Sequence, residues 1–137
     1  MGANKMNKKI LIVEDEHDVV KLTRFVLEND GFEVIAAYDG NDGLEKARTQ
    51  KPDLIILDVK LPGMMGNEVA IELMKEPHTA DIPIVFLTNT PGIAWLSLGI
   101  KFKELKDEIK HKTFLSKSCS NEELLSAIYK LLELKGD

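Results

Sequence analysis

Three acidic residues directly follow two apolar segments of the chain. Glu14 and Asp15 come after residues 9–13, and Asp58 comes after residues 53–57. Apolar runs of this length are typical of buried strands in a parallel sheet, and such strands end at one edge, where ligands bind. If the two strands are neighbours, the three carboxylates lie in one crevice.

A crevice of this kind would be strongly acidic. Crowded carboxylates repel one another unless protons or cations neutralise them. Oxygen ligands without a nearby His or Cys suit a hard cation such as Mg²⁺. We therefore expect an acidic metal site with one carboxylate left to do chemistry. An aspartate that closes a single strand is more often a turn or cap residue, and it is the parallel position of Glu14 and Asp15 that favours chemistry at Asp58.

Short apolar runs alternate with segments of helical periodicity along the chain. Strands are predicted at residues 10–13, 33–37, 53–57, 84–87 and 112–116. Helices are predicted at residues 17–30, 41–50, 67–75 and 121–134, the last with Ser120 or Asn121 as its N-cap. A further amphipathic segment lies between the last two strands. Because strand and helix alternate, we expect an α/β protein with a parallel sheet and helices on both of its faces.

Length and composition limit the function classes. The 137 residues, 44% of them hydrophobic, suffice for one domain with its own core. The net charge of −5 argues against a nucleic-acid-binding surface, and no apolar run approaches the ~20 residues of a membrane span. Cys119 is the only cysteine, so we expect no intrachain disulfide and a reducing, cytoplasmic setting. Residues 1–8 are predicted to be a disordered start or a remnant of cloning, and residues 9–135 one domain.

Five short motifs, taken together, resemble the receiver domain of two-component response regulators. They occur in the family's order at residues 10–15, 52–58, 61–66, 83–88 and 114–117. The resemblance extends from about Lys9 to Leu134. It implies a flavodoxin-like, doubly wound fold of three layers, in which five parallel strands in the order 2-1-3-4-5 are covered by five helices.

The resemblance also implies roles for the acidic cluster. Asp58 would accept a phosphoryl group from a histidine kinase or a phosphotransfer protein. Glu14, Asp15 and Asp58 would bind Mg²⁺, directly or through water. The backbone carbonyl of Lys60 would be a further metal ligand.

Three other residues receive roles from the same resemblance. Thr88 would donate a hydrogen bond to the phosphoryl group, Lys117 would pair with its charge, and Phe114 would be an aromatic switch residue. Each has a plainer explanation when taken alone. Thr88 would then end a strand, Lys117 would be a surface lysine, and Phe114 would be part of the core.

The chain departs from the family pattern between Thr88 and Lys117. This segment is longer than the family pattern allows, and its apolar residues recur at helical spacing: Leu98, Phe102, Leu105 and Ile109. We expect a lengthened fourth helix packed on its own sheet, rather than an unusual docking element. Asn89 stands where a small residue is usual and would restrict access to the site. Ser118 replaces the usual proline after the lysine. We expect a trans bond there, since a cis bond to a non-proline residue costs about 2.5–4 kcal/mol, and that could displace the amine of Lys117.

The leading functional interpretation is a stand-alone phosphoacceptor switch. It would catalyse only its own phosphorylation and dephosphorylation. Its output would be a protein contact, made by the face of the fourth helix, fifth strand and fifth helix, or phosphate relay, and a homodimer is a further option. The alternative is a degenerate receiver that binds partners without phosphorylation. A Mg²⁺-dependent phosphatase is disfavoured, because Lys60 stands where such enzymes usually carry a second aspartate.

Overall fold

The computed structural model describes residues 8–89 and 112–134 of the chain. Five strands form one sheet: β1 (Lys9–Val13), β2 (Glu33–Ala37), β3 (Leu54–Leu57), β4 (Ile84–Thr88) and β5 (Lys112–Ser116). All neighbouring strands pair in parallel, in the order β2-β1-β3-β4-β5. The predicted flavodoxin-like strand order is therefore confirmed, and each strand ends within one residue of its predicted limits.

Four helices lie within the described residues. They are α1 (His17–Asn29), α2 (Gly40–Gln50), α3 (Gly66–Lys75) and α4 (Asn121–Leu132). The helix predicted around residues 98–109 lies outside the described residues, so α4 corresponds to the fifth helix of the sequence prediction. None of the helices in the described part of the chain has both the length and the apolar character that a membrane crossing requires.

The sheet has a separate apolar cluster on each face, because successive side chains of a strand point to opposite sides. On β1, Leu11 and Val13 pack with residues of α2 and α3. Ile10 and Ile12 pack with residues of α1 and α4 on the other face. This burial on both faces explains why the central strands are continuous apolar runs.

The start of α4 fixes the end of the turn that leads out of β5. Ser120 is its N-cap, and its hydroxyl accepts a hydrogen bond of 3.0 Å from the Glu123 N–H. The Glu123 carboxylate accepts one in return from the Ser120 N–H. This capping box satisfies two helix-terminal N–H groups. Because the turn from β5 carries Lys117, the cap also limits where that lysine can lie.

Gly66, at the start of α3, passes very close to the end of β3. Its N–H donates to the Val59 carbonyl at 2.8 Å. A Cβ atom built on Gly66 would lie 1.9 Å from the carbonyl oxygen of Asp58, a backbone atom that cannot move aside cheaply. A larger residue here would therefore push α3 and the segment carrying Asp58 apart.

We predict that Gly66→Ala lowers the free energy of unfolding by about 1–3 kcal/mol, because overpacking forces the backbone to shift. Urea denaturation of the purified protein measures this change. Glu68→Ala is the matched control, since Glu68 is exposed in the same helical turn and its loss should change stability by no more than about 0.5 kcal/mol. Equal stability of Gly66→Ala and the parent protein would contradict the close approach.

Candidate functional site

The sheet brings the three predicted acidic residues together. Val13 and Leu57 are register partners on β1 and β3, and the acids are the next residues along the two strands. One carboxylate oxygen from each of Glu14, Asp15 and Asp58 lies within 4.8 Å of the others. The Asp58 N–H donates to the Val13 carbonyl at 3.0 Å, which extends the pairing to the site itself.

The three acids differ in exposure. Glu14 and Asp58 are only 3% and 5% exposed, whereas Asp15 is exposed at the surface. Backbone amides hold the two buried carboxylates: the Glu16 N–H donates to Glu14 at 2.9 Å, and the Val59 N–H donates to Asp58 at 2.7 Å. The site therefore combines two fixed, buried carboxylates with one that water can reach.

Lys117 supplies positive charge to this cluster. Its N–H donates to the Thr88 carbonyl at 3.0 Å, which places the residue directly after β5. Its Nζ lies 2.7 Å from Glu14 Oε1 and 2.9 Å from Asp58 Oδ2. The bond to Ser118 is trans, as expected. The displacement of the amine that a trans bond could cause does not occur.

The pKa of Lys117 lies above the ordinary lysine range. Burial lowers it, but hydrogen bonds to Glu14, Asp58 and Glu16 outweigh that effect. The pKa of Glu14 is raised to about 7, because burial penalises its charged form more than its hydrogen bonds with Lys117 and the Glu16 N–H favour it. The lysine is therefore a fixed cation, and Glu14 is a carboxyl group that exchanges a proton near neutral pH.

A cleft of about 260 Å³ opens over the acids. Its lining residues come from the ends of β1, β3, β4 and β5: Asp15, Glu16, Asp58, Lys60, Thr88, Asn89 and Lys117. Thr88 is 2% exposed and is the register partner of Ser116 on β5. Asn89, next in the chain, is exposed. The structure thus places the predicted Thr88, Lys60 and Lys117 around one opening beside Asp58.

Phe114 lies on β5 and packs against the core. Its ring stacks on Phe86, with centroids 4.6 Å apart and planes inclined by 11°. Phe86 and Phe114 are register partners, and Thr88 lies two residues beyond Phe86 on the same sheet face. Phe114 therefore has the core contact that its plainer explanation requires, and it also lies near the threonine to which a switch role would couple it.

Glu16 belongs to the site but was not singled out from the sequence. Its Oε1 lies 2.9 Å from Lys117 Nζ, and its side chain is 57% exposed. The available signal was the third consecutive acid in Glu14-Asp15-Glu16. Acidic residues near helix starts are common for reasons of helix capping and dipole interaction, so this signal did not distinguish a site residue.

The donor set fits Mg²⁺. All the candidate ligands are oxygens, three of them carboxylates from adjacent strand ends, and hard cations prefer this set. The exposed Asp15 leaves room for the waters that Mg²⁺ usually keeps. The residues that would hold the ion are Glu14, Asp15 and Asp58, and the Lys60 carbonyl stays a prediction as a further ligand.

Comparison with known proteins gives consistent results. A family model described as response regulator receiver domain matches residues 10–129. The chain is 49% identical over 83 residues to the alkaline phosphatase synthesis transcriptional regulatory protein PhoP of Bacillus subtilis (strain 168). That alignment covers 61% of this chain and 34% of the relative, so the match spans about a third of the relative's length.

Two solved structures show the same fold over nearly the whole chain. A CheY-like response regulator receiver domain protein from Methanospirillum hungatei JF-1 has 25% identity and a TM-score of 0.78, and the match covers 93% of this chain and 94% of that one. The chemotaxis protein CheY4 of Vibrio cholerae has 27% identity and a TM-score of 0.78, with 91% and 98% covered.

The raised pKa of Glu14 predicts a pH dependence of Mg²⁺ binding. The metal requires the ionised carboxylate, and Glu14 is half protonated at its pKa of about 7 in the metal-free site. Affinity should therefore rise about tenfold per pH unit below that value and level off above it. Isothermal titration calorimetry from about pH 5 to about pH 8 measures this, and Glu14→Gln should flatten the curve near neutral pH. An affinity of the parent protein that is constant through pH 7 would contradict the assignment.

Proposed function

This chain belongs to the response regulator receiver domain family, and we propose that it works as a Mg²⁺-dependent phosphoacceptor switch. The observation that carries the proposal is the cluster of three carboxylates, two of them in contact with Lys117, at the cleft that Asp15, Asp58 and Lys117 line. Asp58 is the proposed acceptor, because it lines the cleft, is almost fully buried and has one carboxylate oxygen in contact with the lysine. The phosphodonor would be a histidine kinase or a phosphotransfer protein.

Phosphoryl transfer to Asp58 needs little covalent chemistry from the protein. A carboxylate oxygen of Asp58 forms a bond to phosphorus while the bond from phosphorus to the donor's leaving group breaks. With a phosphohistidine donor, the electron pair of the broken bond stays on the imidazole nitrogen. Positioning and electrostatic stabilisation account for most of the catalysis of such reactions. The Val59 N–H fixes one Asp58 oxygen, so the carboxylate meets the donor in one orientation.

Charge balance determines what the other residues contribute. Mg²⁺, held by Glu14, Asp15, Asp58 and the Lys60 carbonyl, would offset the negative charge that the phosphoryl group brings. Lys117 already lies 2.9 Å from Asp58, so its ammonium can pair with the new phosphoryl oxygens by a small movement. The protein would thereby act only on its own Asp58, as acceptor and in later hydrolysis, and not as an enzyme toward other substrates.

Thr88 and Phe114 would convert the new charge into a change of surface. The Thr88 hydroxyl lies at the end of β4 in the same cleft and would donate a hydrogen bond to the phosphoryl group. Its movement would open space on the sheet face that also carries Phe114. Phe114 is partly buried on an edge strand, so its ring has a path into that space. A local charge change would then alter the face around β5.

The output would be a protein contact at this face. Its described part is β5 and α4, and it would bind a downstream protein or a second copy of the chain. The helix predicted around residues 98–109, outside the described residues, would complete the face. The printed name of the Bacillus subtilis relative describes a transcriptional regulator, of which this chain matches about a third. The net charge of −5 over the full sequence disfavours direct contact with nucleic acid. The alternative, a phosphorylation-independent module, is disfavoured because Asp15, Asp58, Thr88 and Lys117 all line the cleft, and Glu14 contacts the same lysine.

Mass spectrometry tests the proposal directly. The protein is incubated with acetyl phosphate, with and without Mg²⁺, and its intact mass is measured. We expect the gain of one phosphoryl group that depends on Mg²⁺ and is absent in Asp58→Asn. Asp81→Asn is the control, since Asp81 is exposed before β4 and lies outside the cleft, and it should be phosphorylated like the parent protein.

Two outcomes would count against a phosphoacceptor. If Asp58→Asn still gains a phosphoryl group, the acceptor is another residue. No mass gain with acetyl phosphate or a phosphorylated histidine donor, together with no Mg²⁺ binding, would favour the phosphorylation-independent module instead.

A further inference from the structure

Glu16 occupies a helix-capping position but does not cap the helix. It is the N-cap of α1, with extended backbone angles (φ −81°, ψ 107°), and its side chain makes no capping hydrogen bond. N-cap side chains normally accept a hydrogen bond from a free N–H group of the first turn. The Glu16 carboxylate is instead turned toward the cleft, where it accepts a hydrogen bond of 2.9 Å from Lys117 Nζ.

The ion pairs of Lys117 fall into two groups. Within the described residues, its ammonium contacts three carboxylates, those of Glu14, Glu16 and Asp58. Glu14 and Asp58 belong to the cluster whose oxygens are close enough to share a metal ion. Glu16 does not. When Glu14 and Asp58 serve as metal ligands, their negative charge is shared with the cation and their attraction for Lys117 weakens, so Glu16 is the remaining full carboxylate beside the ammonium.

We propose that Glu16 is a positioning residue that keeps the Lys117 ammonium beside Asp58 while Glu14 and Asp58 bind Mg²⁺. This inference rests on the proposed function of the site. A long, flexible lysine side chain that loses two of its partners would otherwise sample many rotamers and leave the cleft. Glu16 confines it at the point where the phosphoryl charge arrives.

The exposure of its side chain suits Glu16 to holding the Lys117 ammonium only until the phosphoryl group arrives. Its side chain is 57% exposed, whereas that of Lys117 is 11% exposed, so the pair is a partly solvated one. Ion pairs that water reaches are weak. Glu16 can therefore hold the ammonium before transfer and still release it to the more highly charged phosphoryl group on Asp58. A buried carboxylate that binds no metal ion would instead compete with the phosphoryl group for the ammonium.

Nuclear magnetic resonance of the lysine ammonium tests the proposal without relying on activity. The ¹⁵Nζ signal of Lys117 is detected only when hydrogen bonds slow the exchange of the ammonium protons with water. Its absence in Lys117→Arg assigns it. We expect it in the parent protein both without and with Mg²⁺. In Glu16→Gln it should persist without Mg²⁺, since Glu14 and Asp58 still hold the ammonium, and broaden beyond detection when Mg²⁺ is added.

Asp18→Asn is the matched control. Asp18 is exposed in the first turn of α1, so the variant loses the same charge near the cleft, while the Lys117 ion pairs in the described structure do not involve Asp18. Its Lys117 signal should resemble that of the parent protein in both states. The rate of phosphorylation by acetyl phosphate should fall about two- to fivefold in Glu16→Gln relative to Asp18→Asn, the range expected from loss of a partly exposed ion pair.

The outcomes separate this inference from the function on which it rests. If the parent protein binds Mg²⁺ and is phosphorylated, yet Glu16→Gln with Mg²⁺ keeps the Lys117 signal, the positioning role is wrong and the proposed function stands. Loss of the signal in the parent protein on addition of Mg²⁺ would equally overturn the role. If the parent protein neither binds Mg²⁺ nor is phosphorylated, the proposed function falls and this inference falls with it.

Discussion

The ammonium of Lys117, 2.7 Å from Glu14 and 2.9 Å from Asp58, is the contact on which the site depends. The two carboxylates are almost fully buried at the ends of neighbouring strands, where desolvation and, to a lesser extent, their mutual repulsion disfavour the charged forms. A positive charge must reach them from elsewhere in the sheet. Lys117 provides it, and it thereby keeps the two buried carboxylates close together.

The contact of Lys117 with Glu14 and Asp58 forms only when the sheet is assembled. Glu14 and Asp58 follow β1 and β3 at the centre, whereas Lys117 follows β5 at the edge, 101 residues from the Glu16 that it also contacts. The hydrogen bond from the Lys117 N–H to the Thr88 carbonyl extends the β4–β5 pairing to the first residue of the turn. The geometry of the site therefore depends on the topology of the sheet, because the ends of four parallel strands must come together for the cleft to form.

Much of this arrangement could be predicted from the sequence. Apolar runs located four strands and a weaker pattern located the fifth. The acids that follow two of these runs indicated the cleft, because parallel strands end at one edge of the sheet. The strand order itself came from the family resemblance. Of the two caps that the sequence allowed, Ser120 and Asn121, the structure selects Ser120.

Other features depend on tertiary contacts, which a local sequence pattern does not indicate. The sequence did not show that Glu14 is buried and Asp15 exposed, although the two are adjacent and chemically alike. Nor did it identify Glu16, whose partner is distant in the chain and whose position usually serves helix capping. The trans bond to Ser118 suggested that the amine of Lys117 would be displaced. This does not happen, because the hydrogen bond from the Lys117 N–H to the Thr88 carbonyl holds the backbone of the lysine in place.

A crystal structure of the protein soaked in Mn²⁺, a Mg²⁺ substitute with a strong anomalous signal, would test the central claim most directly. The convergence of Glu14, Asp15 and Asp58 predicts one anomalous peak at the carboxyl edge of β1 and β3, with oxygens of these three residues bound to it directly or through water. A peak held by other residues, or none while Glu14 and Asp58 still contact Lys117, would contradict the claim that the three carboxylates form a single divalent-cation site.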